Sequence, residues 1–189
     1  MLSPTLETER LILRRYKLED IDAQYEIITD KRLAKYIKFP NITKSEELEC
    51  LKDWINDADN SKYEKWMITL KDSGIAIGNI SVNRIEKKHN YCNVGYVIRY
   101  DYWGNGYASE ALKKVSDYLL DSGYYLIECS CNELNTQSSK VMIKAGFKKD
   151  GYIANRRLNK NGLYSGVEYY SKSKICKWWI FKQNNINWY

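Results

Sequence analysis

Apolar and charged residues alternate over 9–16 (ERLILRRY), the two-residue period of a half-buried strand, and Leu18-Glu19-Asp20 then opens an acidic stretch with helical spacing to about Thr29. Helical patterning continues patchily to Pro40. Thr43-Lys44-Ser45-Glu46 has the form of a capping box, and Leu48, Leu51, Trp54 and Ile55 follow it at helical steps. Residues 66–70 and 75–85 then read as two strands joined by the turn Lys71-Asp72-Ser73-Gly74, and a third strand at 91–99 follows the polar turn Lys87-Lys88-His89-Asn90. The middle of the chain is therefore an antiparallel meander. After it the pattern changes to glycine loop, helix, strand, helix, strand. Ala108, Ala111, Leu112, Val115 and Leu119 mark one helix face, and Gly123 ends that helix. Residues 124–131 alternate as a strand, a helix from about Gln137 buries Val141 and Met142, Gly146 takes the C′ place, and Phe147 begins the next strand.

With 189 residues and no repeats or linker-like tracts, the chain reads as one domain spanning 1–189. No run of eighteen apolar residues occurs and the first residues lack the form of a signal peptide, so a cytoplasmic protein without a membrane partner is expected. Cys50, Cys92, Cys129, Cys131 and Cys176 are odd in number, show no CxxC spacing and have only His89 to share a metal with; they read as reduced thiols, with no metal site. The net charge of +6 is uneven: the last 50 residues carry about +9 and the preceding ones about −3. That basic end suits a phosphorylated cofactor, an acidic protein or RNA, or is simply a solvated lysine face.

The glycine loop carries the most chemistry. It stands between the end of a strand and the first turn of a helix, where glycines let the backbone approach a ligand and orphan N–H groups favour a phosphate. Each dipole contact contributes only about 0.3–1 kcal/mol, so several donors must act together, as on a pyrophosphate. A P-loop is excluded because GxxxxGK[ST] is absent. Gly104, Gly106 and Ser109 with Glu128 imitate a dinucleotide fingerprint, but the third position is Ser, the strands before it look antiparallel, and too little chain remains for a Rossmann sheet.

The string WGNGYASEAL (103–112) resembles the WGKGYATEAL form of the RimJ/RimL-like branch of the GNAT N-acetyltransferase superfamily, with Trp103 in the place of the first Arg or Gln of its R/Q-x-x-G-x-G/A motif. Asn135-Thr136-Gln137-Ser138 and Lys144-Ala145-Gly146-Phe147 are similar to its N-x-x-S and K-x-G-F segments, residues 7–14 (ETERLILR) to its opening, and Val94-Gly95-Tyr96 to the strand before the loop. The resemblance implies an α+β GNAT acyl-CoA N-acyltransferase fold, a central mixed, mostly antiparallel sheet flanked by helices, with acetyl-CoA as co-substrate. It implies that backbone N–H groups of Trp103, Gly104, Asn105, Gly106, Tyr107 and Ala108 hold the pyrophosphate, and that Tyr96, Val97 and Ile98 pair their main chain with the pantetheine arm. It further implies that Ser138 and Asn135 are the catalytic residues, Asn135 bonding that arm and Ser138 standing near the sulfur as general acid for the departing thiolate, and that a backbone N–H near Val97 stabilises the oxyanion. Local hydrogen bonding at a helix start is the plainer role for Ser138, and the dipole alone accounts for Glu110.

Relatives often carry Glu two residues before the Gly-Tyr pair, where this chain has Asn93; His89, Glu128 and Glu133 are the alternative bases. An α-amine of pKa about 8 costs roughly 1 kcal/mol to deprotonate at pH 7, whereas a lysine near 10.4 costs roughly 4.6. The expected activity is acetyl transfer to a primary amine, a ribosomal-protein-like N-terminal α-amine first, by direct attack in a ternary complex without a cysteine intermediate. Small amines (aminoglycosides, polyamines, amino acids) and a non-catalytic CoA-binding module are the alternatives. Direct nucleic-acid binding is not expected. The aromatic tail from Trp178 to Tyr189 is read as closing the sheet or forming a homodimer surface.

Overall fold

The alternation near the start of the chain becomes two short strands, β1 (Leu6–Glu7) and β2 (Leu11–Arg14), with Leu11 and Leu13 fully buried. The computed structural model describes residues 3–37, 39–56, 64–159 and 162–174; the aromatic tail and Cys176 lie outside the described residues. A single 3-10 turn leads into α1 (Ile21–Thr29), and α2 (Lys44–Asn56) starts at the expected capping box. There Thr43 N and Oγ1 donate to Glu46 Oε2 at 2.7 and 2.8 Å, and Glu46 N donates back to Thr43 Oγ1 at 3.3 Å. Of the helix face expected to be apolar, Leu51 is fully buried, but Glu47 is buried as well, its carboxylate accepting from Gln24 Nε2 at 2.9 Å while Asn79 Nδ2 donates to Gln24 Oε1 at 3.0 Å. A polar chain thus ties α1 and α2 to the sheet, satisfying groups that would be costly to bury alone.

The meander comprises β3 (Lys65–Leu70), β4 (Ala76–Glu86) and β5 (Tyr91–Ile98), followed by α3 (Tyr107–Asp121), β6 (Leu126–Asn132), α4 (Thr136–Lys144), β7 (Lys148–Leu158) and β8 (Tyr164–Ser173). The eight strands form one sheet in the order β1-β2-β3-β4-β5-β6-β8-β7. Every pairing is antiparallel except β5 with β6, which run parallel and pair only over Tyr91–Asn93 and Leu126–Glu128. Beyond that short seam β5 stays with β4 to Ile98, and β6 stays with β8 to Asn132. The sheet therefore opens into a V whose apex is Asn93 and Glu128.

One face of the sheet is covered by α3 and α4. Ala111, Leu112, Val115 and Leu119 of α3 are fully buried in a cluster with Leu11, Trp66, Ile80, Val94 and Ile127; burial of each Leu or Val contributes roughly 1.5–3 kcal/mol. On the opposite face Ile27 and Leu33 pack on Val97. Among the described residues no helix is long and apolar enough to cross a membrane.

Candidate active site

At the mouth of the V, the loop after β5 is shaped by two left-handed glycines, Gly104 at φ 81° and Gly106 at φ 82°, and Gly106 is the N-cap of α3. An L-side chain would be strained at either φ, and no atom lies within 4 Å of a Cβ built at Gly104, so the backbone is bare to solvent beside the helix start. The loop is braced from the other end of the chain. Glu110, in the first turn of α3, accepts from Thr8 Oγ1 (2.5 Å) and Arg10 N (3.0 Å) at Oε1, and from Arg10 Nε (2.8 Å) and Nη2 (2.6 Å) at Oε2. Arg10 Nη1 donates to Asn105 O at 3.0 Å and its guanidinium lies 4.7 Å from the Tyr107 ring centroid. Burial pushes the Glu110 carboxyl up, but the Thr8 and Arg10 hydrogen bonds with the Arg10 charge outweigh it and hold the group below its usual range.

Trp103 departs from the expected donor set. Its N–H donates to Tyr100 O at 3.0 Å and its indole Nε1–H to Ile98 O at 2.8 Å, so it pins the loop to the end of β5 and its own N–H is already engaged. Beside the loop a polar cleft of about 320 Å³ is lined by Glu26, Asp30, Arg32, Arg99 and Asp101, whose charges are already paired, Arg99 with Glu26 at 2.6 Å and Arg32 with Asp30 and Asp101 at 2.7 and 2.9 Å.

Along the open edge of β5 successive main-chain groups point to opposite neighbours. Val94 O accepts from Cys129 Sγ on β6 (3.1 Å), whereas Arg99 N donates to Ile77 O on the β4 side (2.8 Å). Tyr96 and Ile98 share the parity of Val94 and turn their main chain to the opening, where the Ile98 carbonyl is already taken by the Trp103 indole; Val97 shares the parity of Arg99 and is turned to β4. The Val97 N–H is thus turned away from the opening, and the Val97 side chain belongs to the packing against Ile27 and Leu33. At the start of α4, Asn135 Oδ1 caps the helix by accepting from Ser138 N at 3.1 Å. Ser138 Oγ lies 2.8 Å from the Tyr96 hydroxyl, which also donates to Ser138 O at 3.1 Å. The structure therefore brings Tyr96, Asn135 and Ser138 together across the V. The partnership of the Tyr96 side chain with Ser138 escaped sequence reasoning, which used Tyr96 only for its backbone.

A β-bulge at Asn83 lies next to the apex. Its side-chain nitrogen would be 2.4 Å from a Cβ on residue 95, so Gly95 leaves room for that amide, which Ser81 Oγ supports by donating to Oδ1 at 2.8 Å. A glycine loop at a helix N-terminus, a V-shaped gap between unpaired strand edges and a hydroxyl pair at its margin together fit an elongated, amide-containing phosphate ester.

A family model described as an acetyltransferase (GNAT) domain matches residues 10–148. The chain belongs to the GNAT acetyltransferase family. It is 31% identical over 151 residues to the uncharacterized N-acetyltransferase p20 of Bacillus licheniformis, covering 79% of this chain and 85% of that protein. It is 29% identical over 113 residues to the ribosomal-protein-serine acetyltransferase of Escherichia coli (strain K12), covering 58% of this chain and 61% of that one. A solved structure of RimL, a ribosomal L7/L12 alpha-N-protein acetyltransferase in complex with coenzyme A, superposes with a TM-score of 0.80 at 18% identity, covering 90% of this chain and 98% of that one. This GNAT chain is an N-acetyltransferase that uses acetyl-CoA.

The thiols near the site are poor nucleophiles. Burial pushes Cys92 up to about 12 and Cys131 up to about 11, and raises Cys129 as well, so all three stay protonated at neutral pH. Of the alternative bases, Glu133 is engaged by Gly166 N (2.5 Å) and the Tyr152 hydroxyl (2.7 Å). His89 is exposed in the turn before β5, beyond the closed end of the seam. Among the described residues no group of three His, Cys, Asp or Glu is placed to hold a metal.

Proposed function

We propose that this chain, acting as one cytoplasmic domain, transfers the acetyl group of acetyl-CoA to the α-amine of a protein N-terminus by direct attack in a ternary complex. The observation that carries the transfer chemistry is the Tyr96–Ser138 hydroxyl pair at the margin of the V. The glycine loop holds the pyrophosphate, the Tyr96 and Ile98 main chain orders the pantetheine arm, and the thioester then lies near the apex. The hydroxyl pair donates a proton to the thiolate as it leaves. Protonated Cys92, Cys129 and Cys131 disfavour an acyl-cysteine route. The acceptor assignment rests on the E. coli and RimL relatives, both named for ribosomal-protein substrates. It also rests on energetics, because an α-amine needs about 3–4 kcal/mol less help to lose its proton at pH 7 than a lysine does.

Thiol release from acetyl-CoA tests the assignment against peptides with free N-termini, the same peptides N-terminally capped, lysine-only peptides, polyamines and aminoglycosides. Turnover is expected with free N-termini and abolished by capping. Turnover with polyamines or aminoglycosides alone refutes the protein acceptor while keeping the enzyme.

A further inference from the structure

The residue at the apex of the V on β5 is Asn93, an amide that cannot take a proton. The strand register shows what stands next to it. Arg84 of β4 pairs with Asn93, Asn93 with Glu128 of β6, Glu128 with Ser171 of β8, and Ser171 with Lys148 of β7, so the five form one row across the sheet on a single face. The burial alternation agrees: Cys92, Val94, Ile127 and Cys129 are buried on the other face, while Asn93 and Glu128 are half-exposed. Neighbouring strands lie about 5 Å apart, so a glutamate on β6 covers nearly the same space as one at position 93. Asn93 and Glu128 are also the last paired residues before the strands part, at the point where the gap between them begins.

The other carboxylates around the opening are committed. Glu110 is held by Thr8 and Arg10, Glu133 by Gly166 and Tyr152, and Glu168 by Tyr170 and Lys149. The Glu128 carboxylate makes no hydrogen bond or ion pair among the described residues. A half-exposed carboxylate without a partner, one strand over from an amide, is placed to accept a proton.

We propose that Glu128 is the general base, a role displaced from β5 to β6 in this chain; the assignment rests on the acetyl-transfer reading above. A Glu128 carboxylate oxygen takes one proton from the ammonium, directly or through one water; the neutral nitrogen then forms its bond to the thioester carbon as the carbonyl π electrons move to oxygen, and the second proton leaves nitrogen to solvent. Collapse of the intermediate breaks the C–S bond, the Tyr96–Ser138 pair protonates the thiolate, and Glu128 and the hydroxyl pair exchange their protons with solvent. The charged groups of the row are Arg84 and Lys148, and Glu86 and Tyr91 stand nearer the closed end.

The test compares the wild type with Glu128→Gln, Asn93→Glu and the double variant, measuring thiol release with a free-N-terminal peptide from pH 6.5 to 9. Glu128→Gln is expected to lower kcat about 100-fold at pH 7 with the acetyl-CoA KM within about twofold. The defect is expected to shrink towards pH 9, where an amine of pKa about 8 has already lost its proton. Adding Asn93→Glu to the Glu128→Gln variant is expected to regain at least about tenfold, because the carboxylate returns to the same space from the other strand. A Glu128→Gln variant with wild-type kcat at pH 7 overturns the proposal and leaves acetyl transfer standing. So does a defect that is equal at pH 7 and pH 9 and unrelieved by Asn93→Glu, which marks a structural role.

Discussion

The Tyr96 hydroxyl sits where burial strongly raises its pKa, a rise that the hydrogen bond with Ser138 only partly opposes, so it remains a proton donor throughout the neutral range. Ser138 is tied to it at 2.8 Å and is fixed in turn by the Asn135 cap, so the two hydroxyls form a unit rather than two independent donors. Groups that act as a unit lose their effect together. Tyr96→Phe and Ser138→Ala are each expected to lower kcat about 100-fold, and the double variant to fall within a few-fold of the worse single one, in steady-state assays with acetyl-CoA saturating. Losses that multiply in the double variant would show two separate roles. The sequence made Ser138 legible through the N-x-x-S spacing, but its partner lies 42 residues away and joins it only because β5 and α4 meet at the V.

At the start of α3 the loop depends on contacts made a hundred residues away in sequence, and both acid stability and cofactor affinity are expected to follow from them. The Glu110 carboxyl has a folded pKa below its ordinary value of 4.5, the net result of burial raising it and the Thr8 and Arg10 interactions lowering it further. A lowered carboxylate contributes stability that is present above the unfolded value and is lost as the pH falls through the folded one. The stability gap between the wild type and Glu110→Gln is therefore expected to be largest near neutral pH and to narrow below about 4.5, measured by thermal melting from pH 7 to 3. The same variant weakens the anchoring of the Arg10 guanidinium that holds Asn105 O and is expected to raise the acetyl-CoA KM several-fold with little change in kcat. Gly106→Ala strains the left-handed N-cap by roughly 1–2 kcal/mol and is expected to raise that KM further, about tenfold, in the same assay. Helices and the glycine loop were legible because their signals are local, in the 3.6-residue period of α3 and the capping box of α2. The Arg10–Glu110 clamp was not, because each residue looks like an ordinary surface charge and only the tertiary fold joins them. Glu47 misled for a related reason, its burial being compensated by Gln24 and Asn79 from other elements.

Across the molecule the sheet is two antiparallel halves joined by a three-pair parallel seam, and the order of elements already implied the meander, the switch after it and the helices on its faces. The extent of the seam was not legible, since register is set by packing and nothing local in residues 91–98 says where β6 leaves. That seam makes the unpaired edge of β5 the place where binding should be seen directly. By the alternation along β5, the Tyr96 N–H faces the opening and the Val97 N–H faces β4. Acetyl-CoA bridging the halves, as proposed above, would bind only the folded state. At about 100 times its Kd it stabilises by about 2.7 kcal/mol, which for a chain of this length raises Tm by roughly 5–10 °C. Under the same conditions amide hydrogen exchange is expected to slow at Tyr96, whose N–H gains a partner, and to stay unchanged at Val97, which has one already. Slowing at Val97 with none at Tyr96 would mean that the strand is rotated relative to the register described here, and would move the oxyanion donor back to Val97. Slowing at neither, with the rise in Tm intact, would place the pantetheine arm outside the V and leave the glycine loop as the sole anchor of the cofactor.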